Sequence, residues 1–143
     1  MKKFEYLEDI AVADIAFDAF GKDLNELFTN AALALFNMQV DLKTVTSKKT
    51  WKVKLKNEKI DNLLFDFLDE IIFLKDKDYS IFDKVKVKIT EKNKTYHLEA
   101  EIKGEKINPK KHKLGNDVKA VTLHLFEVKK LKKYWKARVI VDI

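Results

Sequence analysis

Two carboxylates stand where strand-forming residues are expected. Asp14 lies within "ADIAFDAFG" and Asp142 within "ARVIVDI". Side chains alternate along an extended backbone. The first stretch therefore puts Ala13, Ile15, Phe17 and Ala19 on one face and Asp14, Ala16, Asp18 and Phe20 on the other. In the second, Ala137, Val139, Val141 and Ile143 share a face, which leaves Asp142 beside Ile140. Aspartate is a poor strand former, so both positions require a reason. One reading is a wet outer sheet face on which both carboxylates are solvated. In the other, the two strands converge and the carboxylates hold a hard cation such as Ca²⁺, Mg²⁺ or Mn²⁺. Such ions favour oxygen donors and complete their shells with carbonyls and water. The terminal carboxylate of Ile143 adds a further negative charge one residue from Asp142, and without an ion these charges repel. Lys119, in "DVKAVTLH", interrupts the face expected to carry Val121, Leu123 and Leu125. Its stem can lie along apolar surface with the head in water. Placed near the carboxylates, the same head is a counter-charge or a ligand-binding group.

Other chemistries find little support. The chain has no cysteine, which excludes disulfides, thiolate metal sites and a thiol nucleophile. Gly21, Gly104 and Gly115 are isolated and build no phosphate loop. His97, His112 and His124 lack the spacing of a helical metal pair, and Ser47 and Ser80 sit in polar connections.

The elements that must position the carboxylates are readable from hydrophobic periodicity. "ADIAFDAFG" predicts a strand ending at Gly21, after which Asp23 and Glu26 form a capping-box-like pair. The helix that follows carries Leu24, Leu27, Phe28, Ala31, Leu35 and Met38 on one stripe. "TWKVKLK" alternates as a strand, with its lysines outward. A second helix is expected from about Ile60 to Leu74. "KVKVKIT" and "TYHLEAEI" read as a hairpin joined at "EKNK". "VKAVTLHLFEV" and "YWKARVIVDI" read as another, joined through "KKLKK". Six strands and two helices result, with a further strand available in residues 1–10. Four consecutive strands without intervening helices point to an α+β fold rather than a doubly wound sheet. The expectation is a single domain over residues 1–143, mostly antiparallel sheet with two amphipathic helices packed on the core face.

At 143 residues and 46% hydrophobic content, the chain is long enough to bury a core unaided. Charges interrupt its N-terminal residues, and no apolar run approaches the ~20 residues of a membrane span. The reading is a soluble, cytoplasmic protein with no membrane partner. Net charge is +6, and 28 of the 29 basic residues are lysine. Nucleic-acid readers usually rely on arginine for bidentate contacts, so this surface reads first as overall composition.

Four stretches, "ADIAFDAFGKDLNELFTNAALALFNMQVD", "LLFDFLDEIIFL", "GEKINPKKHKLGNDVKAVTLH" and "VIVDI", resemble the archease family in that family's order and across nearly the whole chain. The most specific features are the Gly-Glu and Lys-His pairs, the "VKAVT" core and the penultimate aspartate. The resemblance implies a protein cofactor rather than an enzyme. Archeases act with the RtcB-type RNA ligase of tRNA splicing and RNA repair, promote its turnover and help guanylylate its active-site histidine. They bind a divalent metal through carboxylates. Carried over residue by residue, the resemblance makes Asp14, Asp142 and Ile143 metal ligands and assigns His112 and Lys119 to cofactor binding. It makes the ligase the partner, with tRNA contacted indirectly. The chain departs from the family pattern at Ala11-Val12, where His-Thr is usual, and at Asn108, where an acidic residue is common.

Two further readings stay open. The lysines, with Tyr134 and Trp135 as stacking platforms, would suit an RNA-binding module acting without a ligase. A metal-dependent hydrolase would use a metal-bound water, but no general base is recognisable beside the carboxylates.

Overall fold

A computed structural model describes residues 1–7 and 14–143. Ala11-Val12 and Ala13 lie outside the described residues. The chain forms β1 (Phe4–Leu7), β2 (Asp14–Gly21), α1 (Leu24–Gln39), a short 3-10 turn (Leu42–Thr44), β3 (Lys49–Asn57), α2 (Ile60–Asp78), β4 (Ser80–Lys92), β5 (Thr95–Lys106), β6 (Ala120–Lys130) and β7 (Trp135–Asp142). The strands make two antiparallel sheets, ordered β1-β2-β7-β6 and β3-β5-β4. The α+β expectation is met, and the extra N-terminal strand is β1.

The helices join the sheets. α1 packs on β2 and β7 of the first sheet and on β4 of the second, while α2 packs on β6, β3, β4 and β5. That double contact explains why α1 is buried nearly all round, with Leu27, Phe28, Ala31, Ala32, Ala34, Leu35 and Phe36 removed from solvent. Phe28 stacks on Phe67 of α2 at 6.0 Å, and Phe36 lies 5.6 Å from Phe82 of β4. The entry to α1 is capped as its sequence requires. The Glu26 amide donates to Asp23 Oδ1 at 2.9 Å, and Glu26 Oε1 accepts from the Lys22 amide at 3.1 Å. Gly21 is fixed by the same turn, because a Cβ there would lie 2.2 Å from the Leu27 nitrogen.

Two elements differ from the sequence reading. α2 runs beyond Leu74 to Asp78, because Lys75 continues the apolar stripe with its ammonium satisfied, and the helix ends at Tyr79 in the left-handed region (φ 48°). β6 is not a plain alternating strand. Thr122 faces Ile140 and Glu127 faces Arg138, so residues 123–126 bulge opposite Val139 alone. Leu123 and Leu125 are thereby turned out, 74% and 56% exposed, instead of sharing a buried face with Val121.

Candidate functional site

The first sheet converts sequence position into a site through one register. β2 and β7 pair antiparallel along their full lengths, from Gly21 opposite Trp135 to Asp14 opposite Asp142. Directly opposed residues in such a pair have Cβ atoms about 4.5–5.5 Å apart. The carboxylates at opposite ends of the chain thus meet side by side, both partly buried. Asp14 titrates above its ordinary 3.8. The main cause is the hydrogen bond it shares with Asp142, followed by burial and the Asp142 charge, against an opposing field from His124. Like charges directly opposed destabilise a sheet, so the arrangement calls for a proton or a cation between them.

β6 completes the surroundings. Ala120 pairs with Asp142 from the other side, and the Lys119 amide donates to the Asp142 carbonyl at 2.8 Å. Lys119 is therefore anchored by its main chain at the carboxylates while its side chain is exposed. Ile143 follows Asp142 and is partly buried. His124, whose charge acts on Asp14, sits in the β6 bulge between the two exposed leucines. The sequence reading sets His124 aside because the histidines lack the spacing of a helical metal pair, and the bulge that redirects it leaves no periodic trace.

The donors suit a hard cation by type, since two carboxylates and main-chain oxygen are the ligands such ions select. Among the described residues, no group of three or more His, Cys, Asp or Glu side chains could hold a metal. A cation here would rest on Asp14, Asp142, main-chain oxygen at Ile143 and water.

His112 is not gathered into this site. Its Nδ1 accepts from the Asn108 amide at 2.9 Å, and Nε2 faces Glu105 Oε2 at 3.0 Å, with the ring fully enclosed. Glu105 also accepts from Lys111 Nζ at 2.6 Å and from the Thr46 amide at 2.5 Å. Lys111, then the Thr46 amide and, against some burial, His112 pull the Glu105 carboxyl from 4.5 down to about 2. The Gly-Glu and Lys-His pairs singled out from sequence are thus two halves of one latch. It pins residues 105–112, and the same segment continues to Gly115 and Asn116, whose amides donate to the Gln39 and Met38 carbonyls at the end of α1. Asn108 serves that latch through its backbone.

A buried lysine holds the approach to β6. Lys75, 5% exposed, donates to Asp117 Oδ1 at 2.8 Å and to the Val118 carbonyl at 2.7 Å, one residue before Lys119. Its spacing after Leu64, Leu68 and Ile71 places it on the apolar stripe of α2, a signal that was available in the sequence. The chain's lone arginine is also committed. Arg138 grips Asp18, its opposite number on β2, through Nε–Oδ1 at 2.9 Å and an Nη–Oδ2 contact at 3.0 Å. Burial works to raise the Asp18 pKa, but Arg138 and Lys136 hold it below the ordinary value.

The family model described as "Archease protein family (MTH1598/TM1083)" matches residues 4–143. The protein archease of Methanothermobacter thermautotrophicus is 41% identical over 143 residues, covering all of both chains. That of Methanosarcina mazei is 40% identical, covering 99% of this chain and 97% of the relative. The solution structure of Methanobacterium thermoautotrophicum protein 1598 superposes with a TM-score of 0.88 at 41% identity over the whole of both chains. The crystal structure of an archease from Thermotoga maritima, described as a possible chaperone, covers 96% of this chain and 97% of its own, with a TM-score of 0.64. At 20% identity it shows a shared fold. The chain belongs to the archease family.

Proposed function

We propose that this chain is an accessory protein to an RtcB-type RNA ligase, acting in the cytoplasm in tRNA splicing or RNA repair, and is not itself an enzyme. The observation that carries this reading is the register placing Asp14 opposite Asp142. The two carboxylates, with main-chain oxygen at Ile143, hold a divalent cation, Ca²⁺, Mg²⁺ or Mn²⁺. A cation in that position supplies concentrated positive charge to a phosphate group. Asp14 and Asp142 fix its place, and Lys119 adds a mobile positive charge at the rim. His112 contributes at a distance, by latching the loop that leads to Lys119. An accessory protein can promote guanylylation of its partner only by binding one state of that partner better than another. A charge-bearing sheet end is suited to such discrimination.

The test is a multiple-turnover RNA ligation assay with the ligase from the same source, run with the wild type, Asp14→Ala and Asp142→Ala. Wild type should raise turnover and both variants should lose the effect. Calorimetric titration with Ca²⁺, Mg²⁺ and Mn²⁺ should show binding by the wild type alone. A wild type that leaves an active ligase unchanged overturns the reading.

A further inference from the structure

The outer face of the second sheet carries a marked excess of positive charge. On β3, Lys52, Lys54 and Lys56 alternate with core-facing Val53 and Leu55, and on β4 Lys84, Lys86 and Lys88 alternate with Val85 and Val87. The central strand β5 contributes Glu99, Glu101 and Lys103, and all nine charged side chains are exposed. Register arranges them in rows. Lys52 and Lys86 flank Glu101, Lys54 and Lys88 flank Glu99, and Lys84 stands opposite Lys103. These seven lysines against two glutamates sum to +5, when the whole chain carries +6.

Neither composition nor sheet stability accounts for that excess. The chain has 23 acidic residues to 29 basic ones, so a random allocation would nearly balance. The acids are elsewhere. Asp61, Asp66, Asp69 and Asp76 line the exposed side of α2. A stabilising cross-strand ladder needs one lysine per glutamate, and each row has two. The pair within 4 Å, Lys54 with Glu99 at 3.9 Å, is exposed on both sides and is worth little. Lys84 directly opposite Lys103 is a like-charge pair, which weakens a sheet. The face thus holds positive charge that a polyanion would neutralise.

We infer that this face is a docking surface for the phosphate backbone of RNA. The occupant is chosen by charge complementarity, and RNA over other polyanions rests on the ligase reading above. Along each outer strand the lysines recur every second residue, about 6.8 Å, and the two lysine rows run two strand spacings, about 9.6 Å, apart. Ammonium groups on flexible stems meet phosphate oxygens as point charges without fixed geometry. His97, between Lys56 and Thr90, is the one ring on these rows, too little to form a stacking platform, and no arginine is present for bidentate base contacts. The surface therefore takes RNA without regard to sequence. Tyr134 and Trp135 belong to the other sheet and play no part.

The test uses the full chain alone, so its failure is distinct from failure of the ligation assay. Fluorescence anisotropy with a labelled, unstructured 30-nucleotide RNA should show binding at 50 mM salt. Engagement of four phosphates should weaken it about 50-fold by 200 mM. The triple variant Lys54→Gln, Lys86→Gln, Lys88→Gln should lose at least tenfold in affinity at 50 mM, with a flatter salt dependence and an unchanged far-UV spectrum. The control Lys129→Gln, Lys132→Gln, Lys133→Gln, with the same charge change near the β6–β7 turn, should bind as wild type. Equal losses in both triples would reduce the effect to net charge and overturn the inference. So would no RNA binding at 50 mM. So would wild-type self-association abolished by the first triple, since the occupant would then be a second copy docking by its acidic helix.

Discussion

Single residues here separate into those whose charge is left facing outward or unbalanced and those whose charge is spent on internal partners. Asp142 was conspicuous in the sequence because it interrupts an apolar strand, and its meeting with Asp14 follows from one antiparallel register. His112 also looked chemical, yet it is bonded to Glu105 inside a latch. Glu105 offers a clean pH test. Its folded value, about 2, lies below the ordinary 4.5, so the folded state releases its proton more readily than the unfolded chain. The resulting stability is fully present above pH ~4.5 and is lost as pH falls through about 2. Glu105→Gln should remove that part of the acid limb and, by stranding Lys111 and His112, should cost about 1–3 kcal/mol at neutral pH. Urea titrations of both proteins between pH 2 and pH 7 would show it. Parallel acid limbs would mean that the latch contributes no charge stabilisation.

At the scale of elements, the pairing of β2 with β7 is what makes a site from remote residues, and Asp18 with Arg138 holds that pairing in the middle. Slipping the register by one residue would move Asp14 away from Asp142 and turn every side chain to the wrong face. Arg138→Met keeps much of the apolar stem but leaves Asp18, 2% exposed, with Lys136 at 3.5 Å as its remaining ion-pair partner. Breaking a fully buried pair costs 3–5 kcal/mol; because the Arg138 side chain is 40% exposed, a loss of about 2 kcal/mol is expected. It should appear as a lower urea midpoint at constant slope, and Asp18→Asn in the same background should recover part of it. No change in midpoint would show that the ion pair does not hold the register. Periodicity revealed both helices, the capped entry to α1 and most strands, because these depend on local pattern. It could not reveal the division into two sheets, which depends on which hairpin pairs with β2. Nor could it reveal the β6 bulge, where a leucine at φ 54° departs from every local preference. His124 was missed with that bulge.

The whole molecule is tied together by an interleaved chain order. The first sheet takes β1 and β2 from the start of the sequence and β6 and β7 from its end, while the second takes β3, β4 and β5 from the middle. The first sheet therefore cannot close until the chain has passed through the second. α1 then packs on both, with Phe36 against Phe82 of β4, while Phe28 stacks on Phe67 of α2. Neither sheet has a core of its own, so the carboxylate end and the lysine face should lose structure together. The sequence supplies a reporter in each. Trp51 lies in β3, edge-on to Phe82 at 5.0 Å and bonded to Asp78 at 2.8 Å. Trp135 begins β7, with the Lys130 ammonium 5.8 Å from its ring. Trp135→Phe leaves a probe of the second sheet alone, and Trp51→Phe a probe of the first. In each variant the urea midpoint from tryptophan fluorescence should coincide with that from far-UV circular dichroism, as two-state unfolding requires. If the Trp51 signal outlasts the dichroism in the first variant, the lysine sheet is an independent unit. Binding at one face would then leave the other unaffected. If the midpoints agree, a cation held at Asp14 and Asp142 stabilises the lysine face by the same free energy, about 2.7 kcal/mol at a hundred times its dissociation constant.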